Sequence, residues 1–333
     1  VGDNIMVGAK SGINGNLKSN QIVAGYALDP ATGGTVSNDN FGVIEFIKSN
    51  EGGTFTQEDI DAFYILSILA QIEIESGAPL PTFTPKEELL LSARNVHKYF
   101  KNGELTSHVL KGVNFDVYKG EFLCLLGESG CGKSTMLNII GGLLDLDEGE
   151  IIFNGKNISN LNEKELTAYR RDNVGFIFQS YNLMPNLNAK QNLELIGELV
   201  KDSLSADDLL KTVGLSDKAK NYPSELSGGQ QQRIAIARAM IKKPKIILAD
   251  EPTGNLDSKN GKEVMELLCD LNKEGTTIMM VTHDAKIAAK CSRVLYIVDG
   301  NIQGEFELSN KFSNEEEMER ERVLNNWLME LGW

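Results

Sequence analysis

The sequence predicts an α/β protein built on a mainly parallel sheet and preceded by a smaller α+β segment. Three observations carry that expectation. From Leu89 onward, short apolar runs alternate with helical patterns; one of these runs ends in a glycine-rich turn that opens directly into a helix; and a proline-rich stretch, GAPLPTFTP (77–85), cuts this region off from what precedes it. At about 150 residues per domain, a chain of 333 residues has room for roughly two domains. With 41% hydrophobic and 24% charged residues it can build a core in each, which excludes a disordered chain.

Before the proline-rich stretch, Phe41 to Ile47 (FGVIEFI) reads as a buried strand, and Thr56-Gln57-Glu58-Asp59 as a capping box opening a mostly apolar helix to about Glu75. Together with the glycine-containing turn between them and Phe55-Thr56-Gln57-Glu58-Asp59, they resemble the C-terminal half of a GAF domain, a small-molecule-sensing fold. The resemblance spans Ile22 to Glu75. It implies a partial GAF-like domain over residues 1–76, with its N-terminal half missing and no ligand assigned. The chain opens on Val1, which reads as a fragment or a processed product. Three prolines in nine residues deny both helix and central strand, so residues 77–88 are read as a linker.

Residues 89–308 carry the expected sheet. Phe122–Leu126, Val174–Phe178, Ile246–Ala249, Thr277–Val281 and Val294–Val298 are the uninterrupted apolar runs that strands buried on both faces require. The first of them ends at Gly127-Glu128-Ser129-Gly130-Cys131-Gly132-Lys133-Ser134-Thr135, which fits G-x-x-x-x-G-K-[ST], and helical MLNII follows. In such a loop the glycines let backbone N–H groups close around phosphate oxygens, and the helix N-terminus adds positive potential. Lys133 is then placed to bridge β and γ phosphates, and the Ser134 hydroxyl to take Mg²⁺. Cys131 reads as a small side chain covered by nucleotide rather than as a redox switch.

Ile246 to Glu251 (IILADE) is an apolar strand ending in two carboxylates. A buried strand carries these only at its exposed C-terminal edge, where ligands lie in open α/β sheets. Asp250 would support Mg²⁺ and Glu251 would polarise an attacking water.

Shortly before that strand stands Leu226-Ser227-Gly228-Gly229-Gln230-Gln231-Gln232-Arg233, followed by helical IAIARAM. LSGGQ opening a helix is the signature of ABC-type ATPases, and from about Leu89 to Glu307 the chain resembles that family. The resemblance implies a P-loop NTPase core of ABC ATPase type with a helical signature subdomain. It implies ATP and Mg²⁺ as cofactors, with Ser134, Gln179 and Asp250 around the metal. Gln179, ending VGFIFQ, matches the glutamine that reports metal and nucleotide to the transport domains. Asp257 of Asn255-Leu256-Asp257 matches the D-loop. His283, ending IMMVTH, matches the switch histidine that holds the γ-phosphate and the water. Tyr99, in KYF, matches the aromatic that stacks on adenine, with core packing as its competitor. His97 and His108 have no such partner motif and are read as surface residues. Ser227, Gly228, Gly229 and Gln230 would contact ATP held by the phosphate loop of another protomer. One chain carries one copy of each motif, so two chains, identical or homologous, would have to pair.

FQSYNLMPNL (178–187) and Gly141-Gly142-Leu143 look like the ATPase subunits of the macrolide-exporter and lipoprotein-release branch. That likeness implies an ATP-driven subunit serving a separate membrane permease, peripheral at the cytoplasmic face of the membrane. The alternative is a soluble, non-transport ABC ATPase regulated by a ligand-sensing N-terminal domain. Only about 90 residues separate the phosphate loop from the signature, too few for the long coiled coil of repair members, and a single cassette is unlike translation factors.

Residues 309–333 form the last segment. Ser313 to Glu316 (SNEE) is a capping-box candidate, and Leu324, Leu328 and Leu331 share one helix face. Docking of this stripe on its own domain is the simpler reading; a partner-binding helix is the other. No run approaches the roughly 18–20 apolar residues of a membrane span. Four scattered cysteines suggest neither a disulfide framework nor a zinc site, and point to a reducing compartment. The net charge of -14 disfavours nucleic acid as a partner. It is carried mostly by the flanks: residues 1–85 hold -7, 86–308 only -4, and 309–333 hold -3.

Overall fold

The computed structural model describes residues 21–25, 43–47, 88–103, 105–308 and 314–333. The chain divides into two compact units, Val1–Thr84 and Pro85–Trp333. In the first, β1 (Gln21–Gly25) and β2 (Val43–Ile47) pair antiparallel, with Gln21 opposite Ile47. β2 falls within the strand expected at 41–47. The helix expected from Thr56, and with it the residues that carry the GAF-like resemblance beyond this strand, lie outside the described residues.

The second unit is layered. β3 (Leu89–Asn102), β4 (Leu105–Tyr118), β6 (Glu148–Phe153) and β7 (Lys156–Asn157) make an antiparallel sheet in the order β4-β3-β6-β7. β5 (Phe122–Leu126), β8 (Val174–Ile177), β9 (Ile246–Asp250), β10 (Ile278–Thr282), β11 (Arg293–Val298) and β12 (Asn301–Glu307) make the other, in the order β12-β11-β5-β10-β9-β8. All pairs in it are parallel except β11–β12, which closes one edge as a hairpin.

Helix α1 (Lys133–Ile140) lies between the sheets: Met136, Leu137 and Ile140 share one core with Leu91, Val96 and Leu110 of the antiparallel sheet and Leu123, Leu125, Leu248 and Val281 of the parallel one. The alternate residues Phe122, Cys124, Ile247, Ala249 and Met280 face a second core on the opposite side. This period of two explains why the runs are apolar throughout: both faces are buried.

Four helices follow the first sheet crossing. These are α2 (Glu163–Asn173), α3 (Ala189–Gly197), α4 (Ala206–Thr212) and α5 (Gly228–Met240). Leu193, Leu209, Leu210, Ile234 and Ala237 from the last three form a third, separate core. α2, α3 and α5 each open with a full capping box, from Asn162/Glu165, Asn188/Gln191 and Ser227/Gln230. Each box satisfies N–H groups that would otherwise lack partners.

The long helix α6 (Ser258–Lys273) and the one-turn helix α7 (Ala285–Ala288) cover the second core. The final helix α8 (Asn314–Glu330) does so as well, burying Leu324 and Leu328 in this same unit. The simpler reading of the stripe therefore describes Leu324 and Leu328, and Leu331, past the helix and exposed, still sets its Cδ1 against Gly304 of β12. Ser313, the proposed cap, lies outside the described residues. Among the described residues no helix is long and apolar enough to cross a membrane.

Candidate functional site

The site collects at the C-terminal ends of β5, β9 and β10, three adjacent parallel strands. β5 runs into the phosphate loop, where Gly130 (φ +87°) and Gly132 (φ +107°) take left-handed conformations that a side chain would strain. Gly132 is also the N-cap of α1. Gly127, Cys131, Gly132 and Lys133 are buried, Thr135 is half-buried, and Glu128, Ser129, Gly130 and Ser134 face outward.

Lys133 folds back over its own loop. Its Nζ donates to the carbonyls of Gly127 and Glu128, each at 2.7 Å, and rests 3.9 Å from the Cys131 thiol. The ammonium has three N–H donors, so the third is committed to nothing stronger than a sulfur and is available to a phosphate oxygen. Burial pushes the Cys131 thiol up, against the pull of Lys133, so this cysteine is inert rather than activated.

Ser134, one residue along, donates its hydroxyl to Asp250 Oδ1 at 2.8 Å. Burial raises the Asp250 carboxyl above its usual range, the Ser134 bond lowers it, and the neighbouring Glu251 raises it again. A partly desolvated carboxylate beside a second acid is a site that gains from a cation. The two oxygens, with the Gln179 carboxamide nearby through Glu251, are the hard donors that Mg²⁺ prefers; the residues fit the ion.

Glu251 stands in the left-handed region at φ +43°, an uncommon conformation for a residue with a long side chain. Its backbone N–H is held by the Val281 carbonyl at 3.0 Å. Its carboxylate is bracketed: Gln179 Nε2 donates to Oε2 at 3.3 Å, and His283 Nδ1 lies 3.0 Å from Oε1. The carboxylate can only accept, so His283 carries its proton on Nδ1 and leaves Nε2 open. Gly254 makes this possible, because a Cβ there would stand 2.8 Å from Gln179 Nε2 and 3.2 Å from Glu251 Oε2. The residues placed together from sequence thus do meet at one edge of the sheet.

The signature and the phosphate loop do not meet within the chain. No hydrogen bond or ion pair among the described residues joins Ser227, Gly228, Gly229 or Gln230 to residues 127–135. Ser227 is exposed and caps α5, accepting from Gln230 N–H at 3.3 Å. Its neighbours are instead the D-loop and the segment after Gln179. A Cβ on Gly229 would stand 2.2 Å from Asn260 Oδ1, and one on Gly228 2.8 Å from the Tyr181 hydroxyl. Asp257 caps α6, accepting from Lys259 N–H, Asn260 N–H and the Asn260 carboxamide.

Several residues escaped the sequence reading. Tyr181 (φ +61°) and Asn182 (φ +51°) are consecutive left-handed residues just past Gln179. Arg238, on the signature helix, donates to both of their carbonyls and holds that strained turn. The signal was there as an arginine inside the apolar run IAIARAM. His97 and His108 are half-buried rather than surface residues. The His108 ring stacks on Tyr99 with centroids 4.2 Å apart, and His108 Nε2 lies 3.0 Å from His97 Nδ1. Tyr99 is therefore already stacked by an imidazole, and the His97 ring lies nearly parallel to it with centroids 6.3 Å apart.

A family model described as ABC transporter matches residues 110–254. An uncharacterized ABC transporter ATP-binding protein of Methanocaldococcus jannaschii is 45% identical over 218 residues, 64% of this chain and 97% of that protein. The macrolide export ATP-binding/permease protein MacB of Wolinella succinogenes is 44% identical over 218 residues, 64% of this chain but only 34% of that protein, so the match spans about a third of its length. Among solved structures, the dimeric post-hydrolysis state of the ATP-binding cassette MJ0796 bound to ADP and Pi is similar at a TM-score of 0.62. It has 43% identity, covering 67% of this chain and all of that one.

Proposed function

Because this chain belongs to the ABC transporter ATP-binding family, we propose that it binds and hydrolyses ATP in a two-protomer sandwich and so drives a separate membrane permease. On this reading residues 89–308 are the cassette, and the chain sits at the cytoplasmic face of the membrane through the permease. The adenine stacks on Tyr99. Phosphates lie in the loop from Gly127 to Thr135, where Lys133 exchanges its sulfur contact for a phosphate oxygen. The Ser134 hydroxyl, the Asp250 carboxylate and the Gln179 carboxamide oxygen would hold Mg²⁺, which would supply neutralisation of phosphate charge when bound.

The observation that carries the reading is the bracketed Glu251 carboxylate, fixed on both oxygens by His283 and Gln179 at the mouth of the phosphate loop. There it orients and polarises the attacking water, while His283, when both ring nitrogens carry protons, donates from Nε2 to a γ-phosphate oxygen. The exposed signature Ser227, and the absence among the described residues of a hydrogen bond or ion pair from the signature to its own phosphate loop, favour completion of the site by a second protomer. The GAF-like reading of residues 22–75 rests on sequence resemblance and adds an unidentified ligand as a possible input.

Glu251→Gln tests the assignment. It keeps the side-chain shape and one of the two accepted hydrogen bonds and removes the negative charge, so phosphate release should fall by about 10²–10⁴-fold while ATP still produces a dimer by light scattering. Phosphate release at the wild-type rate would refute the role of Glu251. Copurification from solubilised membranes tests the permease: a chain that brings no membrane protein with it argues for the soluble alternative.

A further inference from the structure

The motifs leave α8 without a task, yet it touches the machinery. Arg320, 6% exposed, reaches from α8 to the end of the one-turn helix α7. Its Nε donates to the Ala289 carbonyl at 2.9 Å and its Nη2 to the Cys291 carbonyl at 2.6 Å. Lys290, between them, is ion-paired with Glu317 one turn earlier on α8. Leu324 and Leu328 bury their side chains in the core that also holds Ala288, Ala289 and Cys291. Trp327 closes over Gly304 and Phe306 on the edge strand, with ring centroids 5.1 Å apart in the aromatic pair.

α7 begins two residues after His283. Its N-cap is Asp284, whose carboxylate accepts from Lys286 N–H at 2.8 Å. A helix of four residues is too short to hold itself, since nucleation costs more than one turn returns. Of the two carbonyls Arg320 holds, that of the C-cap Ala289 lies at the negative end of α7, where a guanidinium is favourable, and that of Cys291 lies in the turn beyond it. The His283 side chain is 53% exposed, so its ring has little packing to fix it. Apart from its 3.0 Å bond to Glu251, its direction depends on the backbone at 283–284, held on one side by β10 and on the other by α7.

We propose that α8 is a brace for the switch histidine, and that Arg320 is a positioning residue which keeps His283 aimed at Glu251 by clamping the end of α7. The proposal rests on the reading of Glu251 and His283 given above. It predicts that Arg320 acts on turnover through His283 and on nothing upstream of it.

Four full-length chains test this: wild type, Arg320→Ala, His283→Ala and the double variant, with Arg320→Lys as the conservative control. A displacement of about 1 Å at a reacting group can cost around 100-fold, so kcat for ATP in Arg320→Ala should fall about 10- to 100-fold, while KM changes about threefold at most. Arg320→Lys, able to reach one carbonyl, should recover part of the loss. In the His283→Ala background the same substitution should change kcat by less than about twofold, because two groups acting as a unit are not additive. An equal loss in both backgrounds would overturn the brace.

A readout independent of turnover separates this proposal from the functional one. The chain has three histidines, and the Cε1–H proton resonance of His283 is assigned by its disappearance in His283→Ala. Arg320→Ala should move that resonance and leave those of His97 and His108 in place. A His283 resonance that stays put overturns the brace even in an active chain. A shifted resonance in a chain that hydrolyses no ATP supports the brace and places the fault in the functional reading.

Discussion

Gly229→Ala is a one-methyl perturbation whose outcome follows from the geometry of the signature. The new Cβ would stand 2.2 Å from Asn260 Oδ1, 2.6 Å from its Cγ and 2.8 Å from its Cβ. Turning the Asn260 side chain relieves the first two contacts but breaks its 2.6 Å bond to Asp257. The third is set by backbone and needs α5 and α6 to separate by several tenths of an ångström. Overpacking of this kind costs about 1–3 kcal/mol and the lost hydrogen bond about 1 kcal/mol, offset by up to about 1 kcal/mol from replacing a helical glycine. A net loss of about 2 kcal/mol lowers Tm by roughly 4–8 °C in a unit of this size.

Turnover should fall with it, since the signature and the D-loop cap at Asp257 move apart. Thermal melting and phosphate release on the same preparations measure both. Asn260→Ala removes the Oδ1 and Cγ contacts, so the double variant should melt above Gly229→Ala alone. Additive losses, or an unchanged Tm in the single variant, would refute the interlock between α5 and α6.

Three further outcomes are expected. Lys133→Ala removes the ammonium that caps the loop carbonyls and would meet phosphate, so calorimetry should show ATP affinity lost; an unchanged Kd refutes the phosphate-loop role. Tyr99→Ala removes a stacking surface worth about 1–3 kcal/mol per base, which weakens ATP binding roughly 5- to 150-fold; a normal affinity would return Tyr99 to plain packing against His108. Cys131, buried and with its thiol pushed up, should resist iodoacetamide at pH 8 in the native chain; peptide mapping that finds it alkylated quickly would show an activated thiol.

The chemistry was largely legible in the sequence because its motifs are local. The phosphate loop, the strand-end carboxylates and the signature each lie within nine consecutive residues, and each needs only a strand or helix beside it to define its geometry. The parallel strands were legible too, since burial on both faces makes them uniformly apolar. The antiparallel sheet of β3, β4, β6 and β7 was not. β4 runs exposed and buried in irregular alternation, and the register slips between β3 and β4 at several points, so no simple period marks it.

What the sequence determined by itself was which groups this protein would use: Lys133, Ser134, Asp250, Glu251, His283 and the signature glycines, in a fixed order along the chain. Tertiary structure alone decided which of them face one another. Glu251 meets His283 across 32 positions of sequence and Gln179 across 72, the signature turns to Asn260 rather than to its own phosphate loop, and the C-terminal helix reaches the switch segment through Arg320. Local patterns encode backbone geometry over a turn or a strand. Side chains that meet only after the sheet has closed leave no periodic trace, because their spacing is set by the order in which strands pack and not by their distance along the chain.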